Sequence, residues 1–367
     1  MRMTPDHTLE SDRIGNAPHP RSTEVLFGQQ RAEAIFLDSF LSGRLNHAWM
    51  ISGPRGVGKA TLAWRIAKFL LTDPPANPTS LDVSRDHPAV ARILSLTDAS
   101  IYIVRRPADP KSGRVLKEIT VDEIRNLKRY FSFASPDHRY RVAIVDTADE
   151  LNESAANAFL KLLEEPPDKT VFILVSHSPS ILLPTIRSRC AVIRCRPLGR
   201  RDFARALEAI DIGSQSLHRE LSELAEGSVG EAIRLVDENG LEIYSKLVSL
   251  LGDSPGFQRG DASAIATRCD AHGTFRLTIR LIAILLRRLA LAGSGRKFEF
   301  EAAEGEFRLF QKLAPDRTSS QAWAKIFHEL SRRAETAMKL NTEPYATVLE
   351  MLLAIDSEAR ELSGARQ

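Results

Sequence analysis

The sequence predicts an α/β chain: a P-loop domain on a parallel sheet, followed by a wholly helical second half. Three observations carry this reading. Short apolar runs alternate with amphipathic stretches as far as about residue 196. A glycine-rich loop ending in lysine, Ser52–Thr61, lies between one such run and a helical pattern. From about Pro197 the strand signal stops and only helical spacing remains.

The elements follow in order. Residues 1–21 are polar, hold three prolines and lack the apolar core of a signal peptide, so a disordered lead-in is expected. Ala32, Ile35, Phe36, Phe40 and Leu41 mark an amphipathic helix, and Ala48–Ile51 a buried strand. After the loop, Leu62, Ala63, Ile66, Ala67 and Leu70 recur at helical spacing to about Leu71. Thr72–Pro88, with Pro74, Pro75, Pro78 and Pro88, reads as a loop. Ile101–Val104 is β-rich, and Arg105–Arg114 reads as an exposed turn region. In Thr120–Phe131 an apolar face of Val121, Ile124, Leu127 and Phe131 follows the capping-box pair Thr120 and Glu123.

Tyr140–Val145 is a second strong strand, ending at Asp146. Asn152 can cap the next helix, which Pro166 and Pro167 end. Val171–Val175 and Ala191–Arg194 are further strands, with the short apolar element Ile181–Ile186 between them. Nearly continuous apolar strands imply a parallel sheet covered on both faces. The later helices are expected at Arg201–Ile210, Ser216–Ala225, Gly230–Asn239, Thr274–Leu291, Phe307–Lys312, Ser320–Leu340 and Pro344–Ala359. The expected division is a P-loop domain over 22–196, a small helical domain over 197–250 and a helical C-terminal domain over 260–363.

Bulk properties narrow the function classes. Apolar residues make up 43 %, charged residues 26 %, and the net charge is +3, the balance of an ordinary soluble protein. Such mild basicity permits nucleic-acid contact without arguing for it. Cys190, Cys195 and Cys269 are too few and too scattered for a disulfide framework or a four-cysteine zinc site, as fits a reducing cytoplasm. The apolar stretch Leu277–Leu291 is interrupted by Arg280, Arg287 and Arg288, so no membrane span is expected. The basic residues Arg105, Arg106, Lys111, Arg114 and Lys117 read as a solvated face.

The loop carries the chemistry. Gly53, Gly56 and Gly58 let backbone N–H groups turn toward phosphate oxygens, Pro54 belongs to the same possible nucleotide loop, and Lys59 can reach the β- and γ-phosphates. The position after the lysine, which normally supplies a hydroxyl to Mg²⁺, is Ala60. Thr61 is one residue late, about 100° round the helix. Arg141–Asp146 is an apolar strand ending in a carboxylate that can hold a metal beside the phosphates; alternatively it is a plain strand-end carboxylate. ATP or ADP with Mg²⁺ is therefore the cofactor such a site would serve, in degenerate form.

The segment Ala148–Pro167 and the run Leu183–Cys190, with Leu26–Gln29, Ser42–Trp49 and Gly53–Leu62, resemble the clamp-loader branch of AAA+ proteins. Within it the chain is similar to the delta-prime family of the bacterial DNA polymerase III clamp loader, of alphaproteobacterial type. The resemblance covers about residues 22–240. It implies a RecA-like AAA+ domain, a helical lid and a C-terminal collar domain. It also implies membership of a hetero-pentamer with motor gamma/tau and delta subunits that loads a sliding clamp on primer-template DNA. In that family the acid after Asp146 polarises water; here Thr147 stands in its place. The resemblance implies that Arg189 is an arginine finger for a neighbour's ATP, that Arg234 is the lid arginine, and that Ser176 lies near the sensor 1 position. Read without the family, Arg189 could pair with a surface carboxylate and Arg234 could make a pair along its own helix. The four-cysteine zinc module of many relatives has no counterpart, and no zinc is expected.

Overall fold

The computed structural model describes residues 10–15, 17–109, 111–132, 139–270, 274–340 and 342–364. These divide into two compact units. One comprises the described residues up to Asp211 together with Gly227–Gly230; the other comprises Ile212–Glu226 and the described residues from Glu231 onward.

The first unit is built on five parallel strands: β1 (Ala48–Ser52), β2 (Ile101–Val104), β3 (Arg141–Asp146), β4 (Thr170–Ser176) and β5 (Ala191–Arg194). Their order is β2-β3-β4-β1-β5. Its helices are α1 (Gln30–Leu41), α2 (Lys59–Leu71), α3 (Pro88–Leu94), α4 (Val121–Ser132), α5 (Glu153–Glu164), α6 (Pro184–Arg187) and α7 (Arg200–Glu208). The central strands β1, β3 and β4 are buried along their whole length, as their unbroken apolar sequence requires. The edge strands are shorter and partly exposed, with Val192 of β5 43 % accessible.

Two aromatic clusters fill the layers. Phe36 of α1 packs on Trp49 of β1, ring centroids 5.1 Å apart. Phe159 of α5 meets Phe172 of β4 edge-on at 5.4 Å. Asn152 caps α5, its side-chain oxygen accepting from the Ala155 N–H at 2.9 Å.

Register fixes the functional edge. Ser52 of β1 lies opposite Ser176 of β4, and Asp146 of β3 opposite Val175. The glycine-rich loop, the strand-end carboxylate and the end of β4 therefore share the carboxyl edge of the sheet, where open α/β sheets bind ligands.

The structure departs from the sequence expectations at several places. Residues 10–15 and 17–21, expected as part of a disordered lead-in, are ordered, because Glu10 and Asp12 find cationic partners and His19 is buried; residues 1–9 and 16 lie outside the described residues. The proline-rich loop ends in α3, which has Pro88 in its first turn and takes the His87 side chain as its cap. The first unit also extends past the expected boundary at 197 to include α7. There Leu198 N–H bonds to the Gly227 carbonyl at 2.9 Å, and Arg205 lies over the Phe27 ring.

The second unit is helical: α8 (Gln215–Ala225), α9 (Val229–Asp237, whose first residues group with the first unit), α10 (Gly240–Gly252), α11 (Arg259–Thr267), α12 (Thr274–Gly293), α13 (Glu306–Leu313), α14 (Arg317–Leu340) and α15 (Pro344–Gly364). Two of these, α10 and α11, were not among the expected helices. The arginines that interrupt the apolar run of α12 all have acidic partners: Arg280 with Glu231, Arg287 with Glu226, and Arg288 with Glu223 and Glu306. Arg288 is 3 % accessible and forms a two-pronged pair with Glu306 at 2.8 and 2.9 Å; the Tyr244 hydroxyl donates to the same carboxylate. Among the described residues no helix is long and apolar enough to cross a membrane.

Candidate functional site: a P-loop and an exposed arginine

The glycine-rich loop adopts the strand–loop–helix form that its sequence predicts, with α2 beginning at Lys59. Gly53, Gly56 and Gly58 all have positive φ, at 146°, 72° and 98°. Gly56 is confined twice. A Cβ there would stand 2.4 Å from Ser228 Oγ and 2.8 Å from the Gly230 Cα. The same neighbours bond the loop: Ser228 Oγ donates to the Arg55 carbonyl at 2.8 Å, and Gly230 N–H to the Gly56 carbonyl at 3.0 Å.

Lys59 is buried and turned onto its own loop. Its ammonium donates to the carbonyls of Gly53 at 2.7 Å and Pro54 at 2.5 Å. Burial lowers its pKa to about 8, against the raising influence of neighbours that include Asp146. Asp146 is pushed the other way, to about 7, first by burial and next by the charge of Asp12. Thr147 Oγ1 donates to Asp146 Oδ1 at 3.1 Å.

The residues fit a phosphate group better than they fit its metal. The glycines and Lys59 form the cradle, while Ala60 offers Mg²⁺ no oxygen and Asp146 holds its proton more tightly than an ordinary carboxyl. Thr61 lies within the first turn of α2, partly exposed. Nor does a nearby acid replace the missing one at Thr147. Asp149 accepts from Ser176 Oγ at 2.6 Å and from the N–H groups of His177 at 2.5 Å and Ser178 at 3.0 Å. Glu150 pairs with Arg106 at 2.9 Å. Ser176 is thus held by Asp149, an acceptor the sequence reading passed over; its signal was an acid three residues beyond the strand-end Asp146.

Arg189 sits elsewhere, just beyond α6. Its Nη1 donates to the Thr185 carbonyl at 3.1 Å and its Nη2 to Glu164 Oε1 at 2.8 Å. The segment Ala148–Pro167 and the run Leu183–Cys190, which ends in Ser-Arg-Cys, are thereby tied together. Both side chains are exposed, 36 % for Arg189 and 50 % for Glu164. Arg234 lies on α9 in the second unit and pairs with Glu231 one turn away, at 3.0 Å. Of the basic cluster, Arg105 and Arg106 are in ion pairs, whereas Lys111, Arg114 and Lys117 are exposed.

Comparison with known proteins places this geometry. The family profile described as "DNA polymerase III, delta subunit" matches residues 28–199, spanning the whole sheet and the Ser-Arg-Cys motif. The chain is therefore similar, over its sheet-bearing part, to DNA polymerase III clamp-loader subunits. The chain is 36 % identical over 159 residues to the DNA polymerase III subunit delta' of Pseudomonas aeruginosa, covering 43 % of the chain and 46 % of the relative. It is 29 % identical over 269 residues to the subunit gamma/tau of Mycobacterium bovis, covering 70 % and 44 %. To the subunit gamma of Buchnera aphidicola subsp. Acyrthosiphon pisum it is 25 % identical over 330 residues, covering 84 % and 82 %. The chain thus spans less than half the length of the first curated relatives it matches.

Proposed function

We propose that this chain is a delta-prime-type, stator-like subunit of a bacterial clamp loader. It assembles with motor gamma/tau and delta subunits into a hetero-pentamer that loads a sliding clamp on primer-template DNA in the cytoplasm. The sheet-bearing unit with α7 serves as the AAA+ domain, and the helices from α8 onward serve as the lid and the collar domain. Arg189 acts in trans at a neighbour's ATP, and the chain itself turns over little nucleotide.

The observation that supports this most is the disposition of acids at the chain's own site. Hydrolysis needs a group that orients and deprotonates water. Thr147 has none, and Asp149 and Glu150 are engaged elsewhere. Arg189, by contrast, is permanently charged, exposed and held by an exposed pair of the kind worth about 0–1 kcal/mol, so a neighbour's γ-phosphate competes readily with Glu164.

The test is reconstitution with motor and delta subunits. Arg189→Ala should leave assembly intact and depress the ATPase of the complex; an unchanged rate would remove the finger assignment. The gamma/tau relatives favour a second reading, an ATP-hydrolysing motor subunit. Turnover by the purified chain at motor-like rates, abolished by Lys59→Ala, would establish that reading instead.

A further inference from the structure

The N-terminal segment has no place in the function proposed so far, yet it runs along the P-loop cleft. Asp12 is almost wholly buried, its side chain 1 % accessible. One oxygen lies 2.6 Å from Arg105 Nη1, just beyond β2, and the other 3.2 Å from His19 Nε2. Glu10 pairs with Arg21 and lies 3.4 Å from Arg105. Ser11 Oγ donates to the Arg106 carbonyl at 3.1 Å. Further along, Ile14 Cδ1 reaches within 2.8 Å of where a Cβ on Gly230 would stand, and Gly230 is the residue bonded to the P-loop at Gly56. His19 then packs edge-on against Trp64 of α2, centroids 6.0 Å apart. The segment therefore crosses the carboxyl edge of the sheet, from the end of β2 past the P-loop contact to the helix that Lys59 begins.

From this path we infer that residues 10–15 and 17–21 are an acidic strap that closes the P-loop cleft against nucleoside di- and triphosphates. The inference rests on reading Gly53–Lys59 as a nucleotide cleft. Two physical effects work together. The contact at Gly230 helps hold the Ser228–Gly230 turn on the P-loop carbonyls. Asp12 also places a buried carboxylate at the carboxyl end of the sheet, and like charge repels an incoming phosphate. Arg105 and His19 hold Asp12 in place, and Arg105, which lies outside the strap, is the cation that a departing strap would leave behind. Nucleotide binds only to the fraction of molecules with the strap displaced, so the apparent dissociation constant is the intrinsic one divided by that fraction.

The test uses the full chain and a fluorescent N-methylanthraniloyl-ADP. The variant Glu10→Ala with Asp12→Ala should bind it about tenfold or more tightly than the parent, the gain expected if about 10 % or less of the parent is open. Equal or weaker binding by a folded variant would overturn the strap, as would absence of binding by both proteins at millimolar nucleotide. Because the double variant could misfold, a second measurement uses the unaltered chain. Saturating ADP should speed amide hydrogen exchange across residues 17–21; unchanged or slower exchange there would also overturn the inference. Failure of the strap would leave the stator reading intact, since that reading stands on Arg189 in the complex. Conversely, tight binding with rapid hydrolysis would preserve the strap and defeat the stator.

Discussion

The P-loop and the Arg189 corner are opposites in how they hold charge. At the P-loop, Lys59 and Asp146 are buried, their pKa values are drawn toward each other, and the lysine is satisfied by its own backbone. At the Arg189 corner, a guanidinium and a carboxylate meet in solvent, and the Thr185 carbonyl also holds the cation. A buried group is costly to move and an exposed pair is cheap to exchange. The difference teaches that a loop can keep the shape of a phosphate cradle while its charges are locked in place, and that the readily exchanged charge lies at another corner of the same unit.

That contrast can be broken experimentally. The largest effect is expected from Arg189→Ala in the reconstituted complex, which should slow motor ATPase on the order of 10³-fold, the lower end for arginine fingers. Lys59→Ala in the same complex should leave the rate within about twofold; a comparable loss there would erase the distinction, since removing a true catalytic group costs orders of magnitude.

Next comes the buried carboxylate. Asp146 has a folded pKa raised to about 7 from 3.8, so the folded state binds the extra proton between those values and stability falls as pH rises through that window. Asp146→Asn should therefore stabilise the chain at pH 8 by roughly 4 kcal/mol at most, with the gain fading as pH falls below about 7 and gone by about pH 4. Urea unfolding of both proteins at the two pH values would decide it, and a pH-independent difference would show that Asp146 is not the titrating group. Gly56→Ala should cost about 1–3 kcal/mol by denaturant unfolding, because it places a side chain at positive φ against Ser228 and Gly230. The smallest effect is Glu164→Ala. Loss of an exposed pair should change stability by no more than about 1 kcal/mol, while freeing Arg189 for a neighbour.

Much of this was legible in the sequence because it depends on local pattern. The five strands were marked by apolar runs, and Asn152 and Pro166 by cap and breaker chemistry. The P-loop announced itself through glycine spacing. What the sequence concealed depends on partners distant in the chain. Nothing in the run from Glu10 to Arg21 says that Arg105 lies within reach, so polarity and proline read as disorder. Asp149 went unmarked because its partner Ser176 comes to it only through β4. The helices α10 and α11 lacked strong start signals: Asn239 and Gln258 make no side-chain cap bond. The 197 boundary missed α7 because its attachment runs through Gly227, thirty residues on.

The Arg288–Glu306 pair bears on a different property of the second unit. Glu223 and the two-pronged Glu306 carboxylate, itself bonded by Tyr244, converge on one guanidinium inside a largely apolar helical core. Sliding α12 by one turn would still bury apolar side chains, but it would strand two opposite charges without partners, a penalty of several kcal/mol per ion. The pair thus works as a key in a keyway: it rejects wrong alignments of α12 more than it strengthens the right one. A chain with Arg288 and Glu306 both replaced by apolar residues of matching volume should stay about as stable, and lose instead the uniqueness with which this long helix finds its register.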